Sequence, residues 1–302
     1  MVVQQDCLAK NSIETHKSTP LSNYQLWYHV AMKAFEFKCN LCNYLSNSEW
    51  DRLLRDGPSC DSCGSSIRMR EIVCAFLDLY SVELSRDFKV VGLSDADLIA
   101  DYFRKLIHHN YTNTFFDTHP KLDICNLQKD SFETADVLIS SDVFEHVFFP
   151  LSNALEGSFN LLKPGGTLIC TMPWTTWQSS IEHFPWMTSY SVHEQLNGDH
   201  VVLGVDSTGS KRRVENPIFH GGPGNTLEMR KINVFVLVED LKRVGFTDIK
   251  IHHQDRPEFG IRRPDGVVGV VTAIKPKVQM YAEAVEQNNL VGSIKRLVKS
   301  RK

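Results

Sequence analysis

Apolar residues along this chain come in short runs whose period changes from one segment to the next. Residues 1–20 are polar, rich in Ser and Thr and without sustained period, and read as a flexible lead-in. From Leu21 to Lys38 the aromatic and apolar residues of NYQLWYHVAMKAFEF recur at mixed helical spacing and predict a helix. SSIRMREIVCAFLDLYSVEL predicts a second, amphipathic helix with Ile67, Ile72, Phe76 and Leu79 on its inward side. A regular alternation then begins. KVVGL (89–93) predicts a strand and SDADLIADYFRKLI a helix, opened by Ser94 and Asp95 as capping candidates. YTNTFF (111–116) predicts a second strand, KLDICNL (121–127) a weaker one, and ADVLISSD (135–142) a strong one ending in polar residues. The helix PLSNALEGSFNLL is stopped by KPGG, and GTLICTMPW (166–174) is a continuous apolar run of the sort found in buried parallel strands.

Residues 175–230 break this rhythm. Two aromatic, His-containing stretches flank VVLGVD and KRRVENPIF, which the turn-forming STGS joins into an expected hairpin. The rhythm resumes with a helix over VFVLVEDLKRVGF and strands over TDIKIHH and VVGVVTAIK; a polar helix and the basic end IKRLVKSRK follow. Strands alternating with helices define a doubly wound α/β sheet.

Composition changes this picture little. The formal charge of -3 over 302 residues provides no global field for nucleic acid or acidic membrane. No stretch approaches the ~20 apolar residues of a membrane span, and MVVQQDCLAKNSIETHKSTP lacks the apolar core of a signal peptide. A cytoplasmic chain with reduced thiols is expected. The cysteines add chemistry. Cys39-Asn-Leu-Cys42 and Cys60-Asp-Ser-Cys63 have seventeen residues between them, the spacing of a four-thiolate zinc site. Two such knuckles complete the closed tetrahedron Zn²⁺ favours, with no open position, so the ion is expected to be structural. Arg52 and Arg55 are outnumbered nearby by Glu49, Asp51, Asp56 and Asp61, a poor surface for phosphate.

The segment ADVLISSDVFEHV, followed after a helix by LLKPGGTLICTMPW, resembles the class I methyltransferases, which use S-adenosylmethionine. Asp142, Glu145, His146 and the run Leu162 to Gly166 match that family's pattern residue by residue. The resemblance implies a Rossmann-like, mostly parallel methyltransferase sheet with a final antiparallel strand, here with an N-terminal zinc-binding module. It implies this organisation: 21–86 a helical and zinc-knuckle module, 87–277 the methyltransferase domain with substrate insertion 175–230, and 278–302 a C-terminal helix and basic tail. In such sheets ligands gather at the carboxyl ends of the strands. Gly92 is what remains of the family's glycine-rich first turn; Ser94 and Asp95 are candidates for the methionine ammonium, Asp117 for the ribose hydroxyls, and Asp123 for the neighbourhood of the adenine. Ser141 and Asp142 end the fourth strand of the pattern and complete the candidate cofactor site. The second knuckle, GLSD, YTNTFF, SSDVFEHV, EHFP and HGGPG resemble a bacterial subgroup associated with glycan assembly, which implies a sugar or glycan-precursor hydroxyl as acceptor.

Methyl transfer to a hydroxyl requires alignment and loss of a proton, for which histidine is the natural base near neutral pH. The candidates are His220, whose following Gly-Gly-Pro-Gly permits a tight loop and which Glu228 could orient, then His183 and His146. Trp174, Trp177, Phe184 and Trp186 are candidates for an acceptor wall. Two other readings stand beside this one: an RNA methyltransferase with a zinc module, against which the acidic balance argues, and a methyltransferase fold kept for binding alone, which the missing glycines favour.

Overall fold

The computed structural model describes residues 34–49, 56–80, 84–176, 178–222, 224–263 and 269–277. The expected lead-in, most of the helix expected from Leu21, Trp177 and the C-terminal helix and tail lie outside the described residues. Where that first helix was expected to end, AFEFK instead forms strand β1 (Ala34–Lys38), paired antiparallel with β2 (Leu45–Glu49), so that Lys38 faces Leu45. The alternation that sinks Phe37 and leaves Glu36 exposed has a period of two, which the chain uses once a partner strand is at hand.

Helix α1 (Ile67–Leu79) follows the second cysteine pair, and the Ser66 hydroxyl accepts the Met69 N–H as its cap. Its next residues anchor it. Arg70 is wholly buried and donates to the carbonyls of Ser65, Pro58 (2.6 Å) and Gly260 (3.2 Å), with its guanidinium 4.7 Å from the Phe37 ring centre. Glu71 pairs with Arg263, both nearly excluded from solvent.

Then come β3 (Val90–Leu93), α2 (Asp97–Ile107), β4 (Tyr111–Thr114), β5 (Ala135–Ser141), α3 (Leu151–Leu161) and β6 (Leu162–Thr171). After the insertion the chain adds α4 (Val234–Val244), and then the last two strands of the sheet, at Thr247–Ile251 and Val271–Ile274. Read across the sheet, the six strands run Thr247–Ile251, Val271–Ile274, β6, β5, β3, β4. All are parallel except Val271–Ile274, which is antiparallel to both its neighbours. This is the mostly parallel sheet with a reversed strand that the resemblance implied.

The strands are buried on both faces, hence their continuous apolar runs. In β5, Val137 and Ile139 pack towards α1 and α2 with Ile72, Phe76, Ile99 and Phe103, while Leu138 between them packs towards α3 and α4 with Leu155, Leu237 and Leu241. No helix among the described residues is long and apolar enough to cross a membrane.

Two local expectations are corrected. KLDICNL is not a strand: it makes one bridge, Lys121 to Phe115, and then a 3-10 turn at Ile124–Asn126. The Asp123 carboxylate accepts the Cys125 N–H at 3.0 Å, a local bond that competes with strand pairing. The turn lies against α3 at Gly157, where a Cβ would come within 1.8 Å of the Ile124 carbonyl oxygen. Gly157→Ala gains helix propensity, worth about 1 kcal/mol, yet must displace backbone. We expect net destabilisation of about 1–3 kcal/mol, read as a lower urea midpoint at unchanged m-value. Nor do Ser94 and Asp95 cap α2, which begins at Asp97 with Ala96 as an N-cap that makes no side-chain bond. Asp95 is turned inward instead.

Within the insertion, β7 (Trp174–Thr175) and β8 (Ile181–Glu182) precede a three-stranded antiparallel sheet of β9 (Met187–Glu194), β10 (His200–Asp206) and β11 (Lys211–Val214). The STGS hairpin joins β10 to β11 as expected, with Asp206 accepting the N–H groups of Thr208 and Ser210, although β11 stops at Val214 and does not run on to Phe219. A ribbon of β12 (Phe219–His220) and β13 (Thr226–Leu227) follows; β14 (Arg230–Asn233) then pairs with β7 and β8 and leads into α4. The sheet strands Thr247–Ile251 and Val271–Ile274 are β15 and β16.

Candidate active site

The two cysteine knuckles are built alike. In each, the N–H of the residue after the second cysteine donates to the carbonyl of the first: Asn43 to Cys39 and Gly64 to Cys60, both at 2.8 Å. Both residues are left-handed, with φ of 62° and 74°, a conformation Asn and Gly adopt at least cost. The sulfurs then converge, Cys39 to Cys63 at 3.8 Å and Cys42 to Cys60 at 3.6 Å. A tetrahedral ion with metal–sulfur bonds of ~2.3 Å has sulfur–sulfur edges of about 3.8 Å. None of the seven cysteines among the described residues forms a disulfide, and these four are the ones that cluster.

At the carboxyl ends of the parallel strands the structure brings together Gly92, Ser94, Asp95, Ser141 and Asp142, because β3 and β5 are neighbours in register, Leu93 against Ser140. Asp95 is the unexpected centre. It is 4% exposed. Its Oδ2 accepts the Tyr111 hydroxyl at 2.8 Å, and its backbone N–H and carbonyl are both held by the Asn113 amide at 2.9 Å. Its Oδ1 has no hydrogen-bond partner. Burial pushes the Asp95 carboxyl up to about 7, against the lowering effect of the Tyr111 bond and the Arg68 charge. Gly92 is explained by the same group: a Cβ there would meet Asp95 Oδ2 at 2.1 Å and the Tyr111 oxygen at 2.6 Å. The lone glycine of the first turn makes room for a buried carboxyl.

Ser141 and Asp142 face a cation that sequence reasoning missed. Arg68, from the first turn of α1, donates to the Ser141 hydroxyl at 2.6 Å and lies 3.3 Å from Asp142 Oδ2 and 3.4 Å from Asp56. Asp142 is left-handed, φ 55°, and its Oδ1 accepts the Thr171 hydroxyl at 2.9 Å. Asp117 is exposed in the loop after β4, and the Asp123 carboxylate is engaged by its own turn. The structure does not draw either into this polar group.

Just beyond β5 a second cluster forms beneath the insertion. The Gly-rich loop after His220 turns on left-handed Gly221, Gly222 and Gly224 and sets His220 opposite Thr226. Buried Glu228 accepts from both His220 Nε2 (2.8 Å) and His183 Nε2 (3.0 Å). His146 Nδ1 is 2.8 Å from the Leu227 carbonyl, and its ring packs edge-on against that of His220 at 4.9 Å. The neighbouring Glu145 carboxylate, and with it Glu228, raises the His220 pKa, against the effect of its burial. The three histidines that are candidates for the base are therefore close neighbours. Glu145, wholly buried among them, is a participant that the family pattern marked and to which no chemistry had been attached.

The aromatic residues divide. Trp174 donates to the Gly269 carbonyl at 3.0 Å and packs with the central core, whereas half-buried Phe184 and Trp186 belong to the insertion's own core with Met187 and Val202. Arg212 lies 4.7 Å over the Trp186 ring.

No family model matches the sequence, and no curated protein does. Among solved structures the chain is similar to 1,6-didemethyltoxoflavin-N1-methyltransferase of Burkholderia thailandensis, determined with S-adenosylhomocysteine, at 14% identity over 70% of this chain and 79% of that one, with a TM-score of 0.38. It is similar to a sugar N-methyltransferase of a Streptoalloteichus species at 10% identity, covering 90% of this chain and all of that one (100%), TM-score 0.41. A third is the S-adenosylmethionine-dependent methyltransferase of Mesorhizobium loti, at 15% identity, 68% and 97% coverage and TM-score 0.35. What defines the fold of this chain is its strand order, not the depth of these superpositions.

Proposed function

We propose that this chain is an S-adenosylmethionine-dependent methyltransferase acting on a hydroxyl of a sugar, glycan precursor or other small molecule, with a structural Zn²⁺ in its four-cysteine knuckle. The observation that carries the reading is Asp95: a buried carboxyl with one oxygen unpartnered, at the strand end where this sheet type receives ligands. An ammonium group satisfies that oxygen. Arg68 offers the counter-charge for a carboxylate, so the two groups together suit the zwitterionic amino-acid end of the cofactor. Ser94, Ser141 and Asp142 border the same place, and Asp117 and Asp123 stand on the loops that would meet the nucleoside. S-adenosylmethionine, once bound, supplies an electrophilic methyl group on sulfur.

The chain's own task is then to present the acceptor and take its proton. Under this reading the 175–230 insertion covers the acceptor, and the cluster of His146, His183 and His220 receives the hydroxyl proton. His220 is held by Glu228 through Nε2, which leaves Nδ1 facing the site. The cysteine tetrahedron has no ligand position to spare for a substrate, so zinc there shapes α1 and performs no chemistry.

Calorimetric titration of the zinc-replete protein with S-adenosylmethionine and its demethylated product tests the reading. We expect saturable binding of both, weakened at least tenfold by Asp142→Ala, because that change also removes one of the carboxylates that position Arg68. Absence of heat at millimolar ligand sinks the enzyme reading and leaves a methyltransferase-like fold that binds something else.

A further inference from the structure

The histidine cluster has more order than proton transfer requires. Each of two rings has one nitrogen committed outward: His146 Nδ1 to the Leu227 carbonyl at 2.8 Å, and His220 Nε2 to the Glu228 carboxylate at 2.8 Å. As the carbonyl and the carboxylate can only accept, both nitrogens carry the ring protons. In the neutral rings the opposite nitrogens, His146 Nε2 and His220 Nδ1, are lone pairs. Both point at one atom, Glu145 Oε1, each from 3.7 Å. Glu145 is 0% exposed, and neither of its oxygens has a hydrogen-bond partner.

Three acceptors that face one another inside the protein repel unless something positive lies between them. The spacing says what kind of charge. Their ligand atoms all fall within 4.8 Å of one another. Metal bonds of ~2.0–2.2 Å to imidazole and carboxylate at open angles require atoms roughly 3–4 Å apart, which the two 3.7 Å separations from Glu145 Oε1, too long for hydrogen bonds, meet. Ring N–H groups fixed by a carboxylate and a backbone carbonyl are the outer shell that metal-binding histidines use to set their tautomer.

We propose that Glu145, His146 and His220 hold a divalent first-row transition cation such as Zn²⁺, Co²⁺ or Mn²⁺, in a two-histidine, one-carboxylate site distinct from the cysteine knuckle. Three protein ligands leave positions open, and imidazole with carboxylate selects borderline cations over the soft ions that thiolates prefer. The open positions lie under the insertion and take oxygen donors, such as one hydroxyl or an adjacent pair on an acceptor ring. Glu228 is a positioning residue, because it touches the metal only through His220 and also braces His183. The metal site stands independently of methyl transfer; its service to an acceptor hydroxyl rests on the methyltransferase reading, in which the bound metal takes the His146 and His220 lone pairs and leaves His183, held by Glu228 through Nε2, as the histidine that accepts the proton.

Zinc-replete protein is titrated with Co²⁺ by calorimetry and visible absorption, with bound metal counted by mass spectrometry. The expected result is one further equivalent beyond the knuckle ion, showing ligand-field bands without intense thiolate charge transfer. Glu145→Gln, which keeps the side chain's shape, and His220→Asn should each abolish it, and Glu228→Gln should weaken it about tenfold, all without loss of the knuckle zinc. Unfolding midpoints show which variants remain folded, and either of the first two suffices. No second equivalent at submillimolar Co²⁺, or a second equivalent that persists in both variants, overturns the proposal. Binding of S-adenosylhomocysteine in the same samples tells a failure of the metal site from a failure of the methyltransferase reading.

Discussion

Cys60→Ser is expected to cost the protein one bound zinc and to lower its thermal midpoint by at least 10 °C, with a simultaneous fall in affinity for S-adenosylhomocysteine. Folding free energy from structural zinc is of the order of 10 kcal/mol in small modules, and a domain of this size loses about 2–4 °C per kcal/mol. The effect should spread because of where α1 lies. Its first turn follows the second knuckle directly, with the Ile67 N–H bound to the Asp56 carbonyl at 3.0 Å. One residue on, Arg68 reaches Ser141 and Asp142 at the end of β5. Arg70 ties the knuckle to Gly260, and Ile72, Val73 and Phe76 of the same helix are part of the core against β3 and β5. Loosening the knuckle therefore disturbs the counter-charge proposed for the cofactor and a core helix together. Differential scanning calorimetry with metal analysis checks this; a variant that loses zinc yet keeps midpoint and affinity shows that the knuckle is isolated from the sheet.

Asp95→Asn is expected to stabilise the protein at pH 8 while removing most of its cofactor affinity. The native carboxyl titrates near 7, whereas the free group titrates at 3.8. Between those values the folded state retains a proton that the unfolded state has released, so stability falls as pH rises through the window. A shift of that size corresponds to about 4 kcal/mol, present below pH 4 and lost by about pH 7 to 8. Asparagine keeps the acceptor for Tyr111 and the shape beside Gly92, and carries no charge to bury. Urea unfolding should show the two proteins alike at pH 4 and the variant more stable at pH 8. Its loss of affinity for S-adenosylhomocysteine should reach roughly 10- to 100-fold, as for a hydrogen bond to a charged group worth about 1.5–3 kcal/mol. For the wild type, affinity should fall as pH drops below 7, since the protonated carboxyl no longer answers an ammonium. Equal affinity in variant and wild type would remove Asp95 from the cofactor site.

These expectations drew unequally on sequence and structure. The cysteine pairs were legible because a knuckle is a local object: two sulfurs three residues apart, and an Asn or Gly where the turn goes left-handed. The polar end of ADVLISSD was legible because polar residues closing an apolar strand are seldom spent on packing, although Ser140 and Ser141 prove to be buried there. Arg68 was not: a cation on a helix shows no sign in sequence of the strand end it will reach. Nor was the meaning of Gly92, which resembled the remnant of a loop until Asp95 and Tyr111, three and nineteen residues further along, were seen to occupy the space above it. KLDICNL misled for the opposite reason, since its strand-like run is answered by a local Asp123 bond and by the niche at Gly157.

By itself, then, the sequence determined most of the elements and the kind of sheet, through periods of two and of 3.6 and the both-sided burial that makes strands apolar throughout, but not β1 or the KLDICNL turn. It also determined the cysteine knuckles and the three histidines worth watching. Tertiary structure alone decided how these meet: that Asp95 points inward rather than capping α2, that Arg68 reaches Ser141 and Asp142, and that two histidines turn ring nitrogens towards Glu145. The reason is range. Turns, caps and periodicity are set by neighbours within a few residues, whereas the charge, burial and missing partners that give a side chain its chemistry are set by residues tens of positions away.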